Sequence, residues 1–219
     1  MYREILRQYR VYCRESTFWS LSALSLATFF LSLVVNNYAI IYATEQASNP
    51  VTDIILSNIP VFDVDVFFVY GAVLLIACIA AVILAHPKRI PFTLYALAFF
   101  YFTRAAFISL THLGPFPIHT PIDFSTDLGI FLSKIFFGGD DLFFSAHTGA
   151  PFLMALLFWK EHWLRYLFLA WSAFFAVVVL LGHIHYSIDV ASAFFITYGV
   201  YHLALWLVPK SEALFSSNR

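Results

Sequence analysis

The sequence predicts an all-α integral membrane protein: six transmembrane helices in a single bundle, with both termini cytoplasmic. Three observations carry this. Of the 219 residues, 61% are apolar and 11% charged, and the mean hydropathy is +0.81, which excludes an ordinary soluble domain. Six apolar runs are each long enough for a hydrocarbon core of about 30 Å, which takes roughly 20 helical residues. Lys and Arg gather on one side of those runs, although the formal net charge is only −1.

The first element is a short amphipathic helix over residues 2–15. Arg3, Arg7, Arg10 and Arg14 recur at spacings of four, three and four and form one basic stripe, suited to anionic headgroups or simply to fixing topology. The spans follow at 18–43, 65–85, 91–112, 142–159, 163–182 and 186–208. Residues 1–16 are assigned to the basic segment, 17–210 to the membrane domain and 211–219 to a short tail. The first apolar run is too long for a signal-peptide core, so no cleaved leader is expected. Cys13 and Cys78 fall on a flank and inside a span, which makes a disulfide between them improbable.

Orientation follows from the cations. Arg3, Arg7, Arg10, Arg14, Lys88, Arg89, Lys160, Arg165, Lys210 and Arg219 lie on one side, and Lys134 on the other. The positive-inside rule makes the first side cytoplasmic. The 44–64 and 113–141 segments and the turn around Gly182–His185 then face outward, and His147 and His185 open their helices at the same outer face. The 113–141 segment, entered through Gly114, Pro115 and Pro117, is the longest polar stretch and leads directly into His147.

Two clusters carry chemistry. In His183-Ile184-His185-Tyr186-Ser187-Ile188-Asp189-Val190, His185 and Asp189 are four residues apart and share a helical face. In Ser145-Ala146-His147-Thr148 a second imidazole opens another apolar helix, where the helix N-terminus favours phosphate. Ionisable groups near lipid are costly and point to function. Phosphoryl transfer needs a nucleophile, an acid for the departing alkoxide and donors for the phosphoryl oxygens. His185 with Asp189 supplies the first and His147 the second. Ser145, Thr148, Tyr186 and Arg104, the cation inside the third span, are candidate substrate contacts. The bland reading of a lone His is an interfacial hydrogen-bonding residue, and it is preferred for His86, His119, His162 and His202. For Arg104, a structural anchor paired with Asp63, Asp65 or a lipid phosphate competes evenly with a substrate role. A metal site from His183, His185, His147 and Asp189 is disfavoured, because the clustered His repeats of membrane di-iron oxygenases are absent. No metal or cofactor is expected.

These same residues resemble the sphingomyelin synthase family, within the wider lipid phosphate phosphatase superfamily (type 2 phosphatidic acid phosphatases). His185-Tyr186-Ser187-Ile188-Asp189-Val190, followed by Phe195, is similar to H-Y-[ST]-x-D-V-[LIV]-x3-[FY], with Ala191 as the departure. Asp141-Leu142-Phe143-Phe144-Ser145-Ala146-His147-Thr148 is similar to D-x3-S-G-H-T, with Ala146 in place of glycine and Gly139-Asp140 in place of the leading Cys-Gly. Tyr101-x2-Arg104-x6-Thr111 fits the family's Y-x2-R-x6-T, without the paired arginines that precede it there. The resemblance covers the third to sixth spans. It implies an outward-facing His-His-Asp centre, with His185 as nucleophile, Asp189 as its partner and His147 as leaving-group acid. The phosphatase branch's K-x6-R-P is absent, and Val179 stands where that branch places an Arg six residues before its nucleophile. Fewer cations suit a phosphodiester, so a headgroup-bearing phospholipid is the expected donor and ceramide or another lipid alcohol the acceptor. Asp140 and Asp141, beside Phe143 and Phe144, are candidates to meet a choline or ethanolamine cation.

Water as acceptor would make the same centre a phospholipase C or lipid phosphatase. A reading from another class is a lipid scramblase, transporter subunit or scaffold, whose polar residues would line a path across the whole bilayer; here they gather at one face. The bilayer is the expected environment, a bacterial inner membrane the expected location and a homo-oligomer a possible state; no nucleic-acid partner is expected.

Overall fold

The computed structural model describes residues 2–119 and 142–216, with side chains described from 5 to 119 and from 142 to 214. The described elements are helical: α1 (Tyr2–Tyr12), α2 (Ser16–Glu45), α3 (Asp65–Ala85), α4 (Ile90–Leu110), α5 (Ala146–Leu157), α6 (His162–Leu181), α7 (Ser187–Leu207) and α8 (Pro209–Ser216), with 3-10 turns at Leu56–Asn58 and Pro87–Arg89. Five of them, counting Pro87–Leu110 as one segment, are long and apolar enough to cross a membrane. The fourth expected span, 142–159, instead holds the 12-residue α5. At 1.5 Å per residue that helix is about 18 Å long, well short of a hydrocarbon core.

α5 is short because the chain turns sharply before it. Phe143 and Phe144 both have positive φ, 75° and 85°, a backbone that costs a non-glycine residue on the order of 1–2 kcal/mol. The turn drives Phe144 into the core, fully buried with its ring 5.0 Å from that of Phe100. Ala146 opens the helix with no positive φ, so an alanine here requires no special backbone freedom.

α2 shows how lipid inverts the soluble pattern. Ser25, Ser32, Asn36, Ala39 and Ala43 are buried, while Leu24, Phe30, Leu31, Val34 and Tyr38 are exposed. Spacings of seven, four, three and four place the small and polar residues on one face. That face lets α2 lie close along α4, as small residues do between helices in membranes. The Ser25 and Ser32 hydroxyls donate to Ser22 and Phe29 carbonyls of their own helix.

The main core lies where α5 packs on α6 and α7, around Phe92, Phe100, Phe144, Leu153, Met154, Phe158, Phe168 and Phe175. Gly149 permits the closest approach: a Cβ there would stand 2.7 Å from Phe100 Cε2 and 2.9 Å from Thr197 Oγ1. Gly149→Ala should therefore destabilise the protein by about 1–3 kcal/mol through overpacking and displace the start of α5. A lower apparent Tm in detergent together with reduced turnover is the expected result.

The two ends of the bundle differ. At one, Glu161 bridges the turns between helices, pairing with Arg89 Nη1 at 2.5 Å and His86 Nε2 at 3.2 Å. α1 joins this end, with the Tyr9 hydroxyl donating to the Leu84 carbonyl at 2.9 Å. The other end gathers the 46–64 and 111–119 segments around Leu142 and the start of α7.

Candidate active site

α6 ends at Leu181 with Gly182 as its cap, and His183 takes a left-handed φ of 52°, a conformation His adopts more readily than most residues. The Ile184 and His185 amides both donate back to the Val179 carbonyl, at 2.9 and 3.4 Å. This tight turn delivers His185 directly to the start of α7.

Asp189 fixes the imidazole. Its Oδ2 lies 3.2 Å from His185 Nδ1 and accepts the Tyr186 amide at 2.9 Å. With Asp189 Oδ2 accepting, Nδ1 is the donor nitrogen and Nε2 is the one turned away from the carboxylate. Asp189 is wholly buried and His185 only 4% exposed. The i, i+4 spacing read from sequence is thus realised as a contact.

The second motif is tied to the first through the backbone. The Ser145 amide donates to the Asp189 carbonyl at 3.3 Å. That bond joins the start of α5 to the first turn of α7 and brings His147 to the same end as His185. His147 is held between two aromatic rings, with centroids 4.3 Å from Phe68 and 5.4 Å from Phe175, and it interacts electrostatically with both His185 and Arg104. Ser145 caps α5 without accepting a backbone amide of the first turn on its side chain. Its Oγ accepts from Thr148 Oγ1 at 3.4 Å, and both residues are fully buried.

Arg104 is 3% exposed. Its Nη1 donates to Asn36 Oδ1 at 3.0 Å and its Nε to the Phe144 carbonyl at 3.3 Å, and the guanidinium is within electrostatic range of Asp189. It therefore ties α2 to the turn into α5, on the side of the bundle where His185 and Asp189 meet. Tyr186 is also buried; its hydroxyl donates to the Gly114 carbonyl at 2.8 Å and accepts from the Val51 amide at 3.2 Å. The His183 ring donates through Nδ1 to the Ile118 carbonyl at 2.6 Å. Both side chains hold the flanking segments against the α6–α7 turn. Asp140 and Asp141 lie outside the described residues. Among the described residues, no group of three or more His, Cys, Asp or Glu side chains is placed to hold a metal ion.

Two further residues shape the site. Asn36 had a signal in being an amide inside an apolar helix. Asp53 carries no such signal, being one acid within the polar 44–64 segment. Its Oδ2 accepts both the Ser187 amide, at 2.7 Å, and the Ser187 hydroxyl, at 2.8 Å. Its Oδ1 accepts the Ile55 and Leu56 amides at 2.8 and 3.1 Å. Asp53 thus clamps the 46–64 segment onto the first residue of α7, two positions from His185. Burial pushes its carboxyl pKa up, but the bonds from Ser187, Leu56 and Ile55 outweigh this and hold it below the ordinary value. The clamp's contribution is therefore full above an unfolded-state pKa of about 3.9 and is lost as pH falls through the lower folded value. Asp53→Asn should remove that acid-dependent step and lower stability near neutrality by about 1–3 kcal/mol. Thermal unfolding across pH 3–7 measures both effects.

Residues 139–206 match the family model for the C-terminal region of the PAP2 superfamily. The matched stretch contains both His motifs and runs from before α5 to the end of α7. No curated protein and no solved structure matches the chain. The match supports the lipid phosphate phosphatase superfamily, and with it chemistry of the lipid phosphatase or phosphotransferase type; it does not select the sphingomyelin synthase branch.

Proposed function

We propose that this chain is a membrane phosphotransferase of the PAP2 superfamily that moves a phosphocholine or phosphoethanolamine headgroup from a glycerophospholipid to ceramide or another lipid alcohol. The observation that carries this reading is the joined pair of motifs: Asp189 Oδ2 on His185 Nδ1, with the Asp189 carbonyl accepting the Ser145 amide that opens α5.

In the first step, the His185 Nε2 lone pair attacks phosphorus and the bond from phosphorus to the diacylglycerol oxygen breaks. His147 gives its proton to that oxygen as it leaves. Asp189 holds Nδ1–H and balances the positive charge that develops on the ring. Arg104 and the N-terminus of α5 offset the charge on the phosphoryl oxygens. In the second step, His147 takes the acceptor's hydroxyl proton, the acceptor oxygen attacks phosphorus, and the phosphorus–nitrogen bond breaks. His147 and His185 end as they began.

Burial favours a lipid alcohol over water as acceptor. His147 lies between Phe68 and Phe175, and His185 is almost wholly enclosed, and a dry site limits hydrolysis of the intermediate. One arginine rather than several suits a singly charged diester. The asymmetry of Lys and Arg supports an outer, exoplasmic or periplasmic, active-site face. If Asp141 meets the headgroup cation, Asp141→Asn shifts headgroup preference.

The test is purified protein given phosphatidylcholine or phosphatidylethanolamine labelled in the headgroup, with and without ceramide. A labelled phosphosphingolipid is the expected product. Free phospho-headgroup identifies a hydrolase using the same centre. Neither product from either donor overturns the enzyme reading.

A further inference from the structure

The two sides of the His185 site are closed by different forces. Toward the outer end the closure is hydrogen-bonded. Ser187 donates twice to Asp53, the Val51 amide donates to the Tyr186 hydroxyl, and that hydroxyl donates to the Gly114 carbonyl. The Phe62 amide, just before α3, donates to the Leu181 carbonyl at 2.9 Å. Toward lipid, between α3 and α6, aromatic rings meet instead.

These rings form two layers. In the outer layer Phe67 and Phe174 are both exposed and meet edge to face, with centroids 6.4 Å apart. In the inner layer Phe68 and Phe175 are buried and lie 4.3 and 5.4 Å from the His147 imidazole. Phe174 and Phe175 touch at 5.3 Å, and Trp171 braces both, at 5.7 and 5.8 Å. Gly71, one turn beyond Phe67 and Phe68, lets α3 lie against them: a Cβ there would stand 3.2 Å from Phe175 Cζ and 3.4 Å from Phe174 Cε1. The seam therefore runs from the lipid surface to the imidazole.

The two closures open at different cost. A ring that leaves another ring in a bilayer meets lipid tails as apolar as its former neighbour. A buried hydrogen bond, once opened, leaves polar groups unsatisfied at about 1–3 kcal/mol each. The α3–α6 seam is the easier way in, and it suits an apolar chain with an alcohol at one end. Water would have to cross both layers of rings.

Resting on the transferase reading above, we propose that the lipid alcohol reaches His147 through the α3–α6 seam and that Phe68 selects it over water. With the phosphoryl group on His185, His147 can take a proton from either acceptor. From water the phosphorus–nitrogen bond breaks to give free phosphocholine; from the lipid alcohol it breaks to give the transferred product. Phe68 takes no part in either bond change. Its ring occupies the space beside the imidazole until the lipid displaces it, and so sets how each intermediate is divided.

The test gives full-length protein in nanodiscs headgroup-labelled phosphatidylcholine together with ceramide, and reads the ratio of labelled phosphosphingolipid to free phosphocholine. Both products come from one intermediate, so the ratio does not depend on how much of a variant folds. It should fall about threefold in Phe68→Leu and at least about tenfold in Phe68→Ala as water enters. Phe68→Leu, the milder change, supplies the result where Phe68→Ala does not fold. Leu75→Ala, at a buried position two turns along α3, should lose stability and keep the normal ratio. A ceramide with a photoreactive group at the base of its chain should label peptides holding residues 67–71 and 171–175. Absence of phosphosphingolipid from the unaltered protein overturns the transferase reading, and this proposal with it. Phosphosphingolipid from the unaltered protein with an unchanged ratio in the Phe68 variants overturns this proposal alone. So does an equal fall in Leu75→Ala, or photolabel confined to other helices.

Discussion

His185→Ala should abolish headgroup transfer, with kcat falling at least about 10⁴-fold, as when a nucleophile that works as part of a catalytic unit is removed. The side chain is 4% exposed and its one described bond is to Asp189. Losing it leaves Asp189 Oδ2 its bond to the Tyr186 amide, so the start of α7 keeps a capping interaction and the fold survives. Unfolding in detergent should shift little beside the kinetic loss. Asp189→Asn is the harsher structural change, because the same oxygen serves both the imidazole and the backbone. Unfolded protein after His185→Ala would give this histidine a structural role; retained turnover would remove its assignment as nucleophile.

His147→Gln should slow transfer from a natural glycerophospholipid by about 10²–10⁴-fold, the usual contribution of a general acid. The defect should depend on the leaving group. Diacylglycerol departs as a poor alkoxide and needs its proton. A p-nitrophenyl phosphodiester leaves without one, so the variant should form the intermediate from that donor at close to the normal rate. A merely structural role for His147, wedged between Phe68 and Phe175, would slow both donors alike. Steady-state and burst kinetics with the two donors distinguish these outcomes.

Much of the helical plan was legible because lipid makes the signal simple. The span expected at 65–85 is α3, Asp65–Ala85, and the one expected at 186–208 is α7, Ser187–Leu207. Long apolar runs bounded by charge leave few alternatives. The run over 142–159 misled because hydropathy carries no information about backbone sign. Two left-handed phenylalanines use up its beginning, leaving the 12-residue α5. Within the site, His185 and Asp189 were readable from their spacing, since i, i+4 neighbours meet on any helix. Asp53 and Asn36 were not, because each works through a partner far along the chain: Ser187 for one, Arg104 for the other. Only folding brings those pairs together. Arg104 shows both sides of this. Its burial was foreseeable from its place inside a span, but its bonds to Asn36 and the Phe144 carbonyl were not.

The central claim is that His185 carries the headgroup phosphoryl between donor and acceptor. Its most direct test is to mix purified protein with phosphatidylcholine labelled at phosphorus, omit the acceptor, and quench in alkali within one turnover. Label is expected on the peptide containing His185 through an acid-labile, base-stable phosphorus–nitrogen bond, discharged when ceramide is added and absent from His185→Ala. Product formed at full rate with no label ever held by the protein would contradict it.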